Sequence, residues 1–127
     1  MNKIEAAARL GQSIWLDNIE RKMLGADGIL ATMIAQDGLR GVTSNPSIFE
    51  KAITHGEEYT VAIGAEEYRE LSNSALFFQL AVEDIRDACD LFMPLYEQSG
   101  GENGFVSLEV SPSLAYDADG TIEEAKQ

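Results

Sequence analysis

Three short apolar segments, separated by stretches with helical periodicity, constrain the fold more than any other feature of this chain. The segments are SIWLDNI (13–19), LRGVTSN (39–45) and FVSLEVS (105–111), and the last alternates with a period of two. Runs of this kind are typical of strands. Strands connected through helices pair in parallel, because the chain must cross back over the sheet between them. The sequence therefore predicts an α/β fold.

Helical stretches are predicted before, between and after these strands. They cover residues 2–10, 20–25, 27–37, 45–54 and 67–98, and one more begins at Thr121. Ser47 and Thr121 are each followed three residues later by a glutamate, which is the spacing of a capping box. Residues 56–66 are polar and predict a loop or a frayed helix. Pro94 predicts a kink near the end of the long helix.

Length and charge narrow the functional class. The 127 residues are enough for one modest domain, and 22 acidic against 9 basic residues give a formal charge of -13. Nucleic acids and anionic membranes attract cationic proteins, so this charge argues against both as partners. Cys89 is the only cysteine, which excludes an internal disulfide. With no secretory signal pattern and no apolar run of about 20 residues, we expect a cytoplasmic protein.

Polar side chains stand near the carboxyl end of each predicted strand. They are Asp17 on the first, Thr43, Ser44 and Asn45 on the second, and Ser107 and Glu109 on the third. Ligands of parallel α/β proteins bind at that end of the sheet. Because side chains alternate along a strand, Thr43 shares a face with Asn45, and Ser107 with Glu109. The apolar residues 106, 108 and 110 then face the covering helices, and the pattern predicts a polar site above an apolar floor.

Each of these residues also has a purely structural interpretation. Asp17 can cap the following helical segment, Asn45 can form an Asx turn before a proline, and Glu109 can lie on an exposed strand face. An Asp and a Glu in one pocket suit acid–base catalysis, but their spacing fits many reactions, including glycoside hydrolysis. His55 has no companions at ligand spacing, and the chain has no CxxC, HExxH or phosphate-loop motif. Neither a metal site nor a nucleotide site is predicted.

Four segments resemble the transaldolase family. They are LGQSIWLDNIERKML, DGLRGVTSNPSIFEKAI, AVEDIRDACDLFMPLYE and GFVSLEVSPSLAYDADGTIEEAK. In order, over almost the whole chain, they are similar to the N-terminal half of bacterial transaldolases, including the transaldolase part of transaldolase/glucose-6-phosphate isomerase proteins. The resemblance implies a partial (β/α)8 TIM barrel, truncated at the C-terminus, with about three parallel strands and covering helices. Residues 1–127 would be the N-terminal part of a single barrel domain.

The resemblance also implies a reaction and a set of site residues. Transaldolases transfer a dihydroxyacetone unit from a ketose phosphate to an aldose phosphate in the pentose phosphate pathway. They use a lysine Schiff base and no metal or organic cofactor. By motif, Asp17 is implied as an acid–base residue and Glu109 as a proton-transfer residue that acts through a water. Asn45 is implied to bind the dihydroxyacetone group, and Thr43 and Ser107 to line the same pocket.

The resemblance does not extend to the Schiff-base lysine, which in the family lies on the strand after the helix that begins at Thr121. Lys3, Lys22, Lys51 and Lys126 are in helical or polar contexts. We therefore expect a transaldolase fragment without turnover of its own, which self-associates through exposed sheet edges. Two alternatives stay open. One is a non-catalytic half-barrel interaction module or split-enzyme subunit, and the other is a small carboxylate-dependent glycosidase.

Overall fold

A three-stranded parallel sheet organises the fold. The structure is a computed structural model and describes residues 2–25 and 27–127. The strands β1 (Trp15–Asp17), β2 (Gly41–Thr43) and β3 (Phe105–Val106) are adjacent in the order β1-β2-β3. The predicted α/β class is confirmed, because the described residues form this open parallel sheet together with six α-helices, as in part of a TIM barrel.

The register aligns the three strands residue by residue. Asp17 is paired with Thr43 between β1 and β2, and Val42 with Val106 between β2 and β3. The Ser107 N–H donates to the Val42 carbonyl at 3.0 Å, so the pairing continues one residue beyond β3. The third strand is nevertheless shorter than the segment predicted for it. β3 has one neighbouring strand only, and no second ladder holds the residues that follow.

The helices alternate with the strands along the chain. They are α1 (Lys3–Arg9), α2 (Ile29–Thr32, continued by a π-helical turn, Met33–Asp37), α3 (Pro46–His55), α4 (Glu57–Ile63), α5 (Asn73–Gln98) and α6 (Ala118–Ala125). Single turns of 3-10 helix lie at Arg21–Met23, Glu66–Tyr68 and Pro112–Leu114. Pro94 lies inside α5, and the helix continues past this proline to Gln98. Across the described residues, no helix has both the length and the apolar character needed to cross a membrane.

The capping boxes predicted for α3 and α6 are both wrong, because a different side chain caps each helix. At α3, Asn45 is the N-cap and accepts a hydrogen bond from Ile48 N at 2.9 Å, with Pro46 in the first helical position, so Ser47 is already inside the helix. Proline suits that position because its missing N–H is not needed there. The Asx interpretation of Asn45 therefore describes its observed role in part.

At α6 the helix begins earlier than predicted. Asp117 is the N-cap and accepts from Gly120 N at 2.9 Å, so Thr121 lies within the helix rather than at its start. The Thr121 hydroxyl donates instead to the carbonyl of Asp117 at 2.8 Å. Aspartate is a stronger N-cap than threonine, and the capping-box spacing alone does not show which of the two caps the helix.

Residues 56–98 also differ from the prediction. Residues 57–63 form α4, which buries Tyr59 almost completely, although this segment predicted a loop or frayed helix. The long helix begins at Asn73, where the Ser72 hydroxyl accepts from Ala75 N at 3.2 Å, and not at residue 67. A buried tyrosine anchors α4, and this anchor compensates for the polar composition around it.

The helices cover one face of the sheet. Val42 is fully buried there, and Leu16, Val106 and Leu108 pack against the same core. The predicted orientation of Val106 and Leu108 toward the covering helices is confirmed. The buried core consists of Ile19, Met23, Leu24, Leu30, Leu39, Val42, Phe49, Ala81, Ala88 and Phe92. A smaller cluster of Ala52, Tyr59 and Leu80 lies beneath α4.

Candidate functional site

A carboxylate and a hydroxyl meet at the carboxyl ends of the first two strands. Thr43 Oγ1 donates to Asp17 Oδ1 at 2.7 Å, across the residue pair that closes the β1–β2 ladder. The side chain of Asp17 is exposed on the face of the sheet without helices. The 3-10 turn after β1 starts at Arg21 and has no side-chain cap, so the alternative role of Asp17 as a helix cap is wrong.

An aromatic layer lies one step below this pair on the same face. The rings of Trp15 and Phe105 stack at 6.4 Å with an interplanar angle of 13°, and Tyr96 contacts Phe105 edge-on at 5.7 Å. Between them is Gly41, where a Cβ atom would lie 2.5 Å from the indole ring of Trp15. Glycine is required here because any side chain would occupy the space of the indole. The face thus has an apolar floor beneath a polar layer, in the order predicted from alternation.

Ser107 and Ser44 lie near the carboxyl ends of β3 and β2, on opposite faces of the sheet. The pairing of Ser107 with β2 places it beside Thr43. Ser44 alternates to the helix-covered face, where it is buried and donates to the Ser107 carbonyl at 2.5 Å. This bond connects the ends of β2 and β3. Sequence reasoning assigned no role to Ser44, although its alternation with Thr43 and Asn45 already placed it on the core side.

Asn45 has one polar atom engaged and one available. Its Oδ1 caps α3, and among the described residues its amide NH₂ group makes no hydrogen bond, so both of its N–H donors are available to a ligand. The helix cap holds the side chain through Oδ1 and thereby restricts its rotamer. Capping and ligand binding are therefore compatible in this geometry, since they use opposite ends of the amide.

Glu109 lies beyond the end of β3 and apart from Asp17. It is exposed and lines a cavity of about 350 Å³ together with Pro46, Phe77 and Phe78. Asp17 lines a separate cleft of about 450 Å³. No hydrogen bond or ion pair among the described residues joins the two carboxylates. The structure brings Asp17, Thr43 and Ser107 together, and the convergence of Glu109 on the same cavity stays a prediction.

A buried ionic network holds the segment that follows Asp17. Arg21 Nε donates to Asp84 Oδ1 at 2.7 Å, and Arg21 Nη2 donates to Glu83 Oε2 at 3.0 Å. The Tyr59 hydroxyl donates to the other oxygen of Asp84 and accepts from Arg21 N at 3.1 Å. Tyr68 donates to Glu83. Asp84 is fully buried, and all its partners come from segments distant in sequence. The network connects the β1 loop to α4 and α5.

Burial and hydrogen bonding act in opposite directions on the acids of this network. Burial raises the pKa of Asp84, while hydrogen bonds from Tyr59 and Arg21 limit that rise. Burial would also raise the pKa of Glu83, but hydrogen bonds from Tyr68, Gln79 and Arg21 lower it below its usual value. The bond to Glu83, assisted by burial, raises the pKa of Tyr68 to about 12. The one sequence signal for the network was an aspartate on the apolar stripe of α5.

Potential metal ligands are dispersed in the described residues, and the four lysines lie in or beside helical turns. No group of three or more His, Cys, Asp or Glu side chains in residues 2–25 and 27–127 is arranged to hold a metal ion. As expected from sequence, Lys3, Lys22 and Lys51 lie in helical turns, and Lys126 directly follows α6. A hydrogen bond with Glu20 at 2.6 Å raises the pKa of Lys22.

A parallel sheet with polar side chains at the carboxyl ends of its strands fits part of a (β/α) barrel. The family model described as transaldolase/fructose-6-phosphate aldolase matches residues 14–127. The chain belongs to this family.

Its relatives are bacterial transaldolases. The chain is 50% identical over 127 residues to a transaldolase of Thiobacillus denitrificans and 45% identical over 124 residues to one of Trichodesmium erythraeum. It is 40% identical over 126 residues to transaldolase 2 of Nostoc punctiforme. These matches cover 100%, 98% and 99% of the chain but 35%, 32% and 33% of the relatives. The chain therefore spans about a third of their length.

Proposed function

We propose that this chain is the acid–base part of a transaldolase active site. The complete site would transfer a dihydroxyacetone unit between ketose and aldose phosphates, through a lysine Schiff base, in the pentose phosphate pathway. The observation that carries the proposal is the Asp17–Thr43 hydrogen bond of 2.7 Å at the carboxyl edge of a parallel sheet. It lies within the region that matches the transaldolase/fructose-6-phosphate aldolase family.

The chemistry explains why an aspartate is needed at this position. When the substrate is bound as an iminium, the bond between its third and fourth carbons breaks, and the electron pair moves into the iminium. The hydroxyl proton on the departing fragment must leave at the same time, and Asp17 would accept it as general base. Thr43 holds the carboxylate by one oxygen, so the other oxygen stays free for the substrate. In a closed barrel, the aromatic floor would keep water from reaching the site from below.

The other site residues have supporting roles in the proposal. The free NH₂ group of Asn45 would donate to the hydroxyls of the dihydroxyacetone unit, and Ser107 would line the pocket beside Thr43. Glu109 would move protons through a water as the carbinolamine forms and collapses. This last role needs Glu109 to face the same cavity as Asp17. The two carboxylates line different cavities in this chain, so the proposal assigns their convergence to a barrel with more strands.

We expect no transaldolase turnover from this chain alone, because no lysine lies on a strand of the described sheet. The test is incubation with fructose 6-phosphate and erythrose 4-phosphate, followed by borohydride reduction and intact-mass measurement. We expect no product and no adduct, whereas the Thiobacillus denitrificans transaldolase serves as the positive control. A stoichiometric reduced adduct on this chain would contradict the proposal, and peptide mapping would then identify the amine.

Of the alternatives, the split-enzyme subunit has an observation in its favour, and the glycosidase has none. That observation is the two outer edges of the sheet, on β1 and β3, at which a strand of another polypeptide could add. A glycosidase needs two carboxyl groups on one substrate, about 5 Å or about 6.5–9.5 Å apart. Copurification with a polypeptide that restores turnover would establish the split enzyme.

The proposal includes the partners and location expected from the sequence. Its ligands are sugar phosphates, its location is the cytoplasm, and the charge of -13 disfavours nucleic acid. It also includes self-association, because β1 and β3 each have an unpaired outer edge.

A further inference from the structure

The loop that follows Asp17 is held at its far end by Tyr59. Asp17 ends β1, and its pairing with Thr43 is the last of the β1–β2 ladder. A 3-10 turn then begins at Arg21, whose backbone N–H donates to the Tyr59 hydroxyl at 3.1 Å. We call residues 18–21 the β1 loop. In the described sheet, β1 has β2 as its single neighbour, so the contacts of the β1 loop decide how the chain leaves Asp17.

The Tyr59 hydroxyl oxygen connects the β1 loop to α5. It accepts from Arg21 N and donates to Asp84, a carboxylate that is fully buried on α5. The Arg21 guanidinium lies over the ring of Tyr59, 4.9 Å from its centroid, and binds the other oxygen of Asp84. Burial raises the pKa of Tyr59, and the hydrogen bond to Asp84 raises it further. The hydroxyl therefore keeps its proton at neutral pH, together with both hydrogen bonds.

The ring of Tyr59 is itself fixed in place. It is 1% exposed, and a Cβ atom at Gly56 would lie 2.7 Å from the ring. Interiors that are packed this closely allow a side chain little displacement. The hydroxyl is thus a fixed point to which the backbone of the β1 loop is bonded.

The β1 loop also shapes the surroundings of Asp17. It forms one wall of the cleft of about 450 Å³ that Asp17 lines, and α3 forms the opposite wall. Both walls are described elements of this chain, and neither comes from a strand beyond β3. A displacement of the β1 loop would therefore change this cleft and the position of Asp17 together.

We propose that Tyr59 is a positioning residue for Asp17. Its hydroxyl, anchored by Asp84, holds the β1 loop so that the Asp17 carboxylate stays against Thr43 and keeps its second oxygen free. The positional role rests on these contacts, and its catalytic consequence rests on the proposed function. A displacement of about 1 Å can lower the rate of an enzyme about 100-fold. The loss should fall on kcat and leave KM nearly unchanged, because Asp17 would act mainly on the transition state.

Three variants separate positioning from stability. Tyr59→Phe keeps the ring and removes only the hydroxyl. Tyr68→Phe is the matched control, because its hydroxyl belongs to the same network but donates to Glu83 and not to the β1 loop. Phe92→Leu is the stability control, since it reduces core packing about two helical turns from Asp84 along α5. Circular dichroism verifies that each variant is folded.

The first measurement uses the full chain and needs no activity. Nuclear magnetic resonance follows the carboxyl carbon of Asp17 and the methyl group of Thr43 at fixed pH. We expect both resonances to shift in Tyr59→Phe and to stay at their wild-type positions in the two controls. Unshifted resonances in folded Tyr59→Phe would overturn the inference. Equal shifts in Tyr68→Phe or Phe92→Leu would also overturn it, because a general loss of stability would then explain them.

The second measurement uses a chimera in which this chain replaces the matching third of the Thiobacillus denitrificans transaldolase. Tyr59→Phe should lower kcat about tenfold or more and change KM less than about threefold. Tyr68→Phe and Phe92→Leu should keep kcat within about twofold. An active chimera with unchanged kcat in Tyr59→Phe would overturn the inference. An inactive wild-type chimera contradicts the proposed function instead, and the resonances of Asp17 and Thr43 then decide the positional role.

Discussion

Replacing Arg21 by methionine should destabilise the protein far more than an ordinary surface substitution. Arg21 is the cationic partner of the fully buried Asp84 and also binds Glu83. Removing one partner of a buried pair costs about 3–5 kcal/mol, because the remaining charge is left uncompensated. We expect about 3 kcal/mol, at the lower end of that range. The reason is that the Arg21 side chain is 22% exposed and Tyr59 still donates to Asp84.

Urea denaturation followed by circular dichroism measures this loss directly. With a slope of about 2 kcal/mol per molar urea, the midpoint should fall by about 1.5 M. Chain concentration must be held fixed, since dimerisation would stabilise the folded state. The control is Arg69→Met, which removes an exposed pair with Glu66 at 3.7 Å. Exposed pairs contribute about 0–1 kcal/mol. A loss in Arg21→Met no larger than this would refute the ionic role of the network.

The pH dependence of the same variant supplies a second check. The folded-state pKa of Asp84 is raised above its unfolded value. Asp84 therefore stabilises the fold most at low pH, and this contribution disappears as pH rises through the folded pKa. Loss of Arg21 removes hydrogen bonds that limit the rise, so the pKa of Asp84 should rise further. The stability deficit of Arg21→Met should be smaller at about pH 5 than at about pH 7. An unchanged or larger deficit in acid would contradict the assignment.

Two further substitutions test the sheet and the α3 cap. Gly41→Ala should destabilise by about 1–3 kcal/mol and change the emission of Trp15, because the new Cβ would lie 2.5 Å from the indole; wild-type stability and emission would contradict the close packing. Asn45→Ala should cost about 0.5–2 kcal/mol in urea denaturation through loss of the α3 cap. Ser47→Ala should have little effect, and a reversed order would restore the predicted capping box.

The strands and their faces could be predicted from the sequence because alternation is a local property. Residues 106–110 alternate between apolar and polar side chains, and the helices cover Val106 and Leu108 as that pattern predicts. Helix starts were harder to predict, since neighbouring polar side chains can each accept from the same free N–H groups. Asn45 and Asp117, rather than Ser47 and Thr121, are the N-caps of α3 and α6. Their side chains are oriented toward the free N–H groups, and spacing does not encode that orientation.

The ionic network could not be predicted because its partners are far apart in sequence. Arg21 and Asp84 are separated by 63 positions, and only the folded chain brings them together. The candidate site could be predicted from the sequence in part. The Asp17–Thr43 contact follows from alternation, which the pattern indicated, and from strand register, which it did not specify. The position of Glu109 depends on what closes the sheet beyond β3, and neither the local pattern nor the three strands determine that.

The most direct test of the central claim is the activity of a chimera in which this chain replaces the matching third of the Thiobacillus denitrificans transaldolase. If the chain supplies the acid–base part of the site, the chimera should transfer dihydroxyacetone. Asp17→Asn should then lower kcat about 100-fold or more, the contribution expected of a general base, while Ser47→Ala leaves kcat unchanged. A folded chimera without activity, or an active one in which Asp17→Asn changes kcat less than about threefold, would contradict the claim.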